Sequence, residues 1–156
     1  MSIERVKEYL RQYNKEDAVM EFSTSSATVE LAAETLGVIP ARIAKSLAFK
    51  AEKACILIIT AGDTKIDNKK FKEEFLIKAK MLSADEVKDI TGHEVGGVCP
   101  FGLKNPDIRV YCDESMKRFS TVFPACGSSN SAIELTCDEL FSLSKSLKWV
   151  DVCKIK

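Results

Sequence analysis

Residues 46–62, SLAFKAEKACILIITAG, contain two apolar runs that are separated by a short charged link. The second run is rich in β-branched side chains, and a continuous apolar run of this kind is typical of a buried strand. The first run also has the composition of a strand. The stretch therefore predicts two strands of one sheet, joined by a short turn.

The sequence before these strands predicts three helices. The first has apolar side chains at helical spacing, namely Ile3, Val6, Tyr9 and Leu10. A serine-rich turn at residues 23–26 offers N-cap hydroxyls to the second, and a glycine ends it. A proline opens the third. These predicted helices cover residues 2–14, 27–37 and 40–46.

The sequence after the strands mixes helices and strands without strict alternation. Two serine or threonine residues stand three residues before a glutamate, at 83–86 and 136–139, which is the spacing of a capping box before a helix. Strand patterns occur at 107–115, 132–136 and 148–153. The chain is therefore predicted to be an α+β protein, with one domain over residues 1–156 and a mixed central β-sheet flanked by helices.

The overall charge argues against a protein that coats nucleic acid. The 156 residues include 23 Lys and Arg and 23 Asp and Glu, so the formal net charge is zero. A protein that grips a duplex along its length is normally strongly basic. Binding of a single nucleic-acid end is still compatible with this charge. The six lysines of residues 64–82 would either form a solvated helix face or supply the few phosphate contacts that such an end requires.

The cysteines point to a reducing compartment. The N-terminal segment is charged and amphipathic rather than apolar, so the protein is predicted to be cytoplasmic, with its six cysteines reduced. One histidine and dispersed thiols without a CxxC motif predict no metal site, and nothing predicts a cofactor or a membrane span. Four cysteines are predicted to lie in the core: Cys55, Cys112, Cys126 and Cys153.

The sequence GGVCPFG, residues 96–102, is the first candidate for chemistry. Glycine reaches positive φ at little cost and lets a ligand approach the backbone closely. A loop with Gly96, Gly97 and Pro100 can therefore present N–H groups to an anion or to a developing oxyanion. The same composition is also typical of a simple tight turn between strands, and the residues alone leave both interpretations open.

Two further features are weaker. The small-residue loop in ACGSSNSAIEL, residues 125–135, would shape a snug polar pocket or be merely a loop. Lys45 and Ser46 stand where the predicted third helix meets the first strand. A lysine held there would bind phosphate as a compact charge, or it would be an ordinary surface lysine whose stem covers apolar neighbours.

His93 and Cys99 lie beside or within the glycine-rich loop. His93 is a general base in principle, but it has no serine or cysteine partner at motif spacing, which favours a structural or substrate-facing role. Cys99 is predicted to lie in an exposed loop, and nothing around it indicates a lowered thiol pKa. A thiol hydrolase that uses Cys99 is nevertheless a rival interpretation.

Four motifs in their order along the chain carry a more specific signal. They are the serine- and threonine-rich turn into ATVELAAETLGV, then IAKSLAF, GHEVGGVCPFGL and ACGSSNSAIELT. Over roughly residues 20–145 this arrangement resembles the YbaK/proline-tRNA-synthetase-associated family. Members of that family are aminoacyl-tRNA deacylases that clear mischarged tRNA in trans, or editing inserts within prolyl-tRNA synthetases.

The resemblance implies a function and a site. Water would attack the aminoacyl ester, aided by the free hydroxyl of the terminal ribose. Lys45 would engage the tRNA terminus, and the N–H groups of Gly96, Gly97 and Val98 would stabilise the oxyanion. Residues implied in substrate binding are Ser23, Ser25, Ser46, Cys99, Pro100, Phe101, Gly127, Ser128, Ser129, Asn130 and Ser131.

The resemblance also implies partners and one departure. The implied partners are the aminoacyl-tRNA acceptor end and an aminoacyl-tRNA synthetase. Some relatives carry a histidine in the downstream loop, where this chain has Asn130 and Ser131. That difference leaves the edited amino acid undefined. The alternative to a deacylase is a module that binds a tRNA end or a synthetase without catalysis.

Overall fold

A mixed β-sheet runs through the protein, whose structure is a computed structural model that describes residues 2–156. The strands are β1 (Met20–Glu21), β2 (Ile43–Lys50), β3 (Cys55–Ala61), β4 (Thr64–Ile66), β5 (Arg109–Asp113), β6 (Thr121–Pro124), β7 (Ser131–Ala132), β8 (Leu135–Thr136), β9 (Trp149–Val150) and β10 (Cys153–Ile155). Six of them form the central sheet in the order β8-β6-β2-β3-β5-β9. The remaining strands pair as β1 with β7 and β4 with β10.

Five α-helices of the described residues flank the sheet, and flanking helices were predicted from the sequence. They are α1 (Ser2–Arg11), α2 (Val29–Leu36), α3 (Asn68–Phe75), α4 (Ala84–Thr91) and α5 (Cys137–Leu143). Both predicted capping boxes are formed: Ser83 and Glu86 begin α4, and Thr136 and Glu139 begin α5. The α+β class and the mixed central sheet are confirmed.

The antiparallel pair β2 and β3 forms the middle of the sheet, with Lys45 opposite Thr60 and Leu47 opposite Ile58. Every residue of β3 is buried, as its β-branched sequence predicted. Side chains of the two strands alternate between the two faces of the sheet. One face, with Ala44, Ala48, Leu57 and Ile59, packs against residues of α1, α4 and α5; the other, with Phe49, Ile56 and Ile58, packs against Phe71 of α3.

The free edge of β2 has a gap in its hydrogen bonding. Strand β6 pairs only with Ile43 and Ala44 at the start of β2. Near the other end, Leu82 N–H donates to the Ala48 carbonyl at 3.0 Å, and Lys50 N–H donates to the carbonyl of residue 80 at 2.8 Å. Between these two pairings, around Ser46, the edge of β2 is unpaired. The site described below lies at this gap.

Two predictions about the region before β2 were wrong. The predicted helix at 40–46 is only a 3-10 turn, Pro40–Arg42, because Ile43 already pairs with Phe123 in the sheet. The serine-rich turn also does not cap α2. Thr28 does so, accepting a hydrogen bond from Leu31 N–H at 3.1 Å.

Four other segments differ in their bounds from the predictions. Helix α1 ends three residues early, where Asn14 adopts a positive φ of 59° in the turn that follows. In the lysine-rich segment only Asn68–Phe75 is helical. The predicted strands at 132–136 and 148–153 are each divided in two, because β7 and β8 pair with different strands, and so do β9 and β10.

Candidate functional site

A cavity of about 280 Å³ lies at the gap in the edge of β2. Residues 43–48 of β2 form one wall. The other walls come from the start of α2, the glycine-rich loop, the segment before α4, and strands β6 and β7. Outside β2 the lining residues are 26–29 and 32, then 81, 82 and 87, then 95, 96 and 98, and finally 123, 125, 131 and 132. The cavity thus brings together five residues with predicted roles: Lys45, Ser46, Gly96, Val98 and Ser131.

Lys45 is the third residue of β2 and is half-buried. Its Nζ donates a hydrogen bond to the carbonyl of Thr64, so the β3–β4 turn holds the ammonium group in place. Burial lowers the pKa of Lys45 below its ordinary value, and the charge of Lys156 lowers it further; Asp63 acts in the opposite direction. Lys45 thus lines the cavity, and its ammonium group is held at Thr64 with part of its hydration removed.

Ser46 lines the cavity, with its main chain facing the gap. Residues two apart on a strand direct their main-chain N–H and C=O groups to the same edge. The N–H and C=O of Ser46 therefore point to the same edge as those of Ala48 and Lys50. The Ser46 Oγ is buried and has no hydrogen-bond partner among the described residues. Ser46 is therefore a residue of the cavity wall with hydrogen-bonding capacity that the described chain does not use.

The glycine-rich loop contributes Gly96 and Val98 to the cavity. Gly96 has a φ of 100°, a conformation that other residues rarely adopt. The N–H of Gly97 donates to the Glu94 carbonyl at 2.9 Å, and its carbonyl accepts from Gly127 N–H at 3.0 Å. Gly97 therefore does not line the cavity but fixes the loop, and its N–H is engaged within that loop.

The second half of the same loop is buried. Cys99 and Phe101 have no exposed surface, and Pro100 is buried between them. The prediction that Cys99 lies in an exposed loop was wrong, because residues 99–101 turn inward and pack into the core. Burial raises the pKa of the Cys99 thiol to about 12. None of these three residues lines the cavity.

The downstream loop is divided between the cavity and another surface. Ser131 lines the cavity, and its Oγ accepts a hydrogen bond from Ser128 Oγ at 2.7 Å. Asn130 is occupied by the main chain of Phe22, to whose carbonyl its Nδ2 donates at 2.8 Å. Gly127, Ser128 and Ser129 instead line a separate depression of about 450 Å³, together with Arg5 and Lys88.

The serine-rich turn serves mainly to anchor the cavity wall. Ser23 and Ser25 are exposed and do not line the cavity. Ser25 Oγ donates to the Ser129 carbonyl at 3.4 Å, and the same carbonyl accepts from the Ser26 N–H at 2.6 Å. These bonds hold the start of α2 against the downstream loop.

His93 has a structural place rather than a place in the cavity. Its ring is fully buried, with Nε2 2.8 Å from the Phe101 carbonyl and Nδ1 hydrogen-bonded to the Ser2 hydroxyl. Since a carbonyl only accepts, Nε2 carries the proton and Nδ1 accepts from Ser2. Burial lowers the pKa of His93, which keeps the ring neutral near pH 7.

Comparison with known proteins identifies the family. The family described as the aminoacyl-tRNA editing domain matches residues 24–143, which contain every lining residue of the cavity. The chain belongs to this family. The family membership predicted from the four motifs is therefore confirmed.

The relatives of this editing domain include free-standing proteins and parts of synthetases. The uncharacterized protein YwhH of Bacillus subtilis (strain 168) is 61% identical over 155 residues, which cover 99% of this chain and 98% of that protein. The “Putative Cys-tRNA(Pro)/Cys-tRNA(Cys) deacylase EbsC” of Enterococcus faecalis is 28% identical over 79% of this chain and 76% of its own length. A proline--tRNA ligase of Bacillus licheniformis is 36% identical over 60% of this chain, but the matched part is only 16% of the ligase.

A solved structure shares the whole fold of this editing domain. The crystal structure of “a putative trans-editing enzyme for prolyl tRNA synthetase” superposes with a TM-score of 0.88 and 28% sequence identity. The match covers 98% of this chain and 97% of the other. The likeness therefore extends to all the elements that surround the cavity.

Several residues of the editing-domain cavity had no signal in the sequence analysis. The apolar side chains Val87, Val95 and Phe123 line it. The sequence predicted only a helix around Val87 and a loop after Val95, and it predicted no element at Phe123. One signal was available: Pro124, which has no N–H, ends β6 beside the gap. A proline at the end of a strand indicates where pairing stops.

Residues 2–156 contain neither a cluster of metal-ligating side chains nor a helix that could span a membrane. No three His, Cys, Asp or Glu side chains within this range are grouped so that they could hold a metal ion. None of the helices in the same range combines the length and the apolarity that crossing a bilayer requires.

Proposed function

We propose that this protein hydrolyses the ester bond of mischarged aminoacyl-tRNA, acting in trans in the cytoplasm. Membership of the aminoacyl-tRNA editing family supports the reaction class. The observation that carries the proposal is the cavity at the gap of β2, where Lys45, Gly96 and Val98 line one space. That combination suits a substrate with an anionic nucleotide end and a reacting carbonyl.

Hydrolysis of an aminoacyl ester does not require a strong nucleophile from the protein. An aminoacyl ester is already activated, so water is a sufficient nucleophile when the ester carbonyl is polarised. A synthetase separates substrates that differ by one methylene by only about 1–3 kcal/mol, and a second hydrolytic check restores accuracy. A site without a catalytic triad is compatible with this task.

The oxyanion would be stabilised by main-chain donors. In our proposal these are the N–H groups of Gly96 and Val98, whose residues line the cavity. Gly97 is left out, because its N–H already donates to Glu94 within the loop. Removing one oxyanion donor typically lowers kcat by a factor of about 10²–10³.

Lys45 would hold the tRNA terminus. Its Nζ now donates to the Thr64 carbonyl, and a phosphate or ribose oxygen of the terminal nucleotide would take that place or share the ammonium. Partial burial makes the interaction stronger than at a free surface, since less water competes. The free hydroxyl of the terminal ribose would orient the attacking water.

The part of the cavity that would hold the side chain of the edited amino acid favours a small residue. Its walls include Ala32, Ala44, Ala48 and Ala132, which leave room beside the sheet without adding charge. The remaining polar groups at the wall are mostly hydroxyls with partners. We propose that a small, uncharged amino-acid side chain enters here, and that an aminoacyl-tRNA synthetase is a second partner in the cell.

A deacylation panel tests the proposal. The protein would be mixed with tRNAs charged with alanine, cysteine, serine, threonine or proline, and loss of the ester followed over time. We expect hydrolysis of at least one mischarged tRNA, and a fall of roughly 10²-fold for Gly96→Ala, whose added methyl would lie 3.1 Å from the Cβ of Ala27.

A matched pair of lysine variants isolates the role of the cavity cation. Lys45→Ala should lower the rate at least tenfold, whereas Lys50→Ala should stay near wild type, because Lys50 ends the same strand as an exposed residue outside the cavity. If the folded wild-type protein binds tRNA but every ester survives at the uncatalysed rate, the deacylase is refuted in favour of a binding module.

A further inference from the structure

The hydroxyl of Ser46 stands out among the polar groups of the molecule. Within residues 2–156, its Oγ is the one buried side-chain oxygen or nitrogen that lacks a hydrogen-bond partner. Leaving a buried hydroxyl unpaired is unfavourable, and folded proteins rarely do so. An unpaired group of this kind at the wall of a cavity calls for a partner from outside the chain.

The other hydroxyls of the cavity wall have partners already. Ser26 Oγ donates to the Ser129 carbonyl at 3.3 Å, and Thr28 Oγ1 caps α2. Ser131 Oγ is bonded to Ser128 Oγ at 2.7 Å. Among the hydroxyls of the cavity wall, Ser46 is therefore the one left to bind a ligand.

The position of Ser46 indicates what that partner is. Its side chain lies on the same face of β2 as Ala44 and Ala48, and Val87 and Val98 line the cavity with them. A serine hydroxyl moves between staggered positions about Cα–Cβ at little cost, so it can turn toward this apolar part of the cavity. A ligand group that meets it there is the end of a small side chain rather than a nucleotide.

We propose that Ser46 is the specificity-determining residue of the site, and that its Oγ binds the hydroxyl of a small amino-acid side chain. The inference rests on the proposed deacylase function and defines its substrate as an aminoacyl ester of the serine kind. An alanyl ester, whose methyl side chain has no polar atom, leaves Ser46 unpaired, and the thiol of cysteine is a weaker partner than a hydroxyl. A site that pairs with a substrate hydroxyl discriminates against the analogue that lacks it.

Ser46→Ala tests the inference when it is measured on two esters of the same tRNA. Wild type should hydrolyse the seryl ester faster than the alanyl ester. The variant should lose roughly three- to tenfold on the seryl ester and less than twofold on the alanyl ester, as expected for one neutral hydrogen bond. Cysteinyl-tRNA serves as a third arm, with a loss smaller than that for serine.

Thermal unfolding provides an independent readout. Because the Ser46 hydroxyl has no partner in the folded chain, Ser46→Ala should not lower Tm. Ser144→Ala is the matched control: this buried serine lies outside the cavity, donates to the Phe141 carbonyl at 3.2 Å and contacts Ser146 Oγ at 2.6 Å. That control should lower Tm and leave the preference between esters unchanged.

The outcomes separate the possible failures. An equal loss on the seryl and alanyl esters, or no loss on either, overturns the inference while the deacylase function stands. A fall in Tm for Ser46→Ala as large as that for Ser144→Ala overturns its premise. Survival of every ester with wild-type protein refutes the proposed function and the inference together.

Discussion

The carbonyl of Gly97 accepts a hydrogen bond of 3.0 Å from the N–H of Gly127, and this bond joins the two small-residue loops of the site. The loops are also in direct contact. A Cβ added to Gly97 would lie 2.7 Å from both the carbonyl carbon of Gly127 and the nitrogen of Ser128. Because both atoms belong to the backbone, neither can move aside without displacing the downstream loop.

We expect Gly97→Ala to disturb the site although Gly97 does not line the cavity. The methyl would push residues 127 and 128 away and shift Gly96 and Val98, which do line it. Overpacking of this kind typically costs about 1–3 kcal/mol. Urea unfolding should show that loss, and the rate of deacylation should fall by at least roughly tenfold.

Gly37→Ala provides the control for this prediction. Gly37 ends α2 with a φ of 69°, and a Cβ there would meet no atom within 4 Å. The variant should therefore lose about 1–2 kcal/mol from left-handed strain alone, with the deacylation rate unchanged. Equal rates for Gly97→Ala and wild type would show that the contact between the loops does not position the site.

The features that were predictable from sequence are those encoded locally. A capping box needs only a hydroxyl and a glutamate three residues apart, and both predicted boxes are present. The burial of β3 likewise followed from its own β-branched side chains. Local sequence also drew attention to Lys45 and Gly96, because charge and glycine are visible without the fold.

The cavity itself was not predictable, because it depends on pairing between distant segments. The gap beside Ser46 exists where pairing of β2 with β6 stops and pairing with residues 80–82 begins. No pattern within β2 indicates which part of its edge stays open. The same limit explains the wrong prediction for Cys99, whose burial follows from its contacts with the rest of the core.

Cys99 tests whether the reaction uses a thiol. The side chain has no exposed surface, and burial raises its pKa to about 12, so the nucleophilic thiolate is almost absent near pH 7. We expect Cys99→Ala to retain the deacylation rate within about threefold while it loses about 1–2 kcal/mol of stability from lost packing.

Alkylation of the native protein gives a second measurement on Cys99. Cys137 is half-buried and the other five cysteines are buried, so a maleimide should label Cys137 first and Cys99 only on unfolding. Mass spectrometry of the digested protein would locate the label. A folded Cys99→Ala protein without activity, or rapid labelling of Cys99 with loss of activity, would support the thiol hydrolase instead.

The neutral form of His93 makes hydrogen bonds with two distant parts of the chain. Nδ1 accepts from the Ser2 hydroxyl at the start of α1, and Nε2 donates to the carbonyl of Phe101. Burial lowers the pKa of His93 below 6.5, and the charge of Arg5 adds to this effect, although the bond to Phe101 opposes it. Protonation would thus oppose both burial and the bond from Ser2.

Stability should therefore decrease as the pH falls below about 6.5. In that range the unfolded chain takes up a proton at its single histidine while the folded chain does not, so the free energy of unfolding declines with pH. Above it neither state is protonated and the contribution is constant. Urea unfolding between pH 7.5 and 5 measures the slope. His93→Gln should be less stable at pH 7.5 but should lose most of this dependence. Carboxylates with lowered pKa values, such as Asp63 and Glu139, reduce stability mainly below about pH 5. A wild-type protein with constant stability over this range, or a variant with the same slope, would contradict the neutral buried histidine.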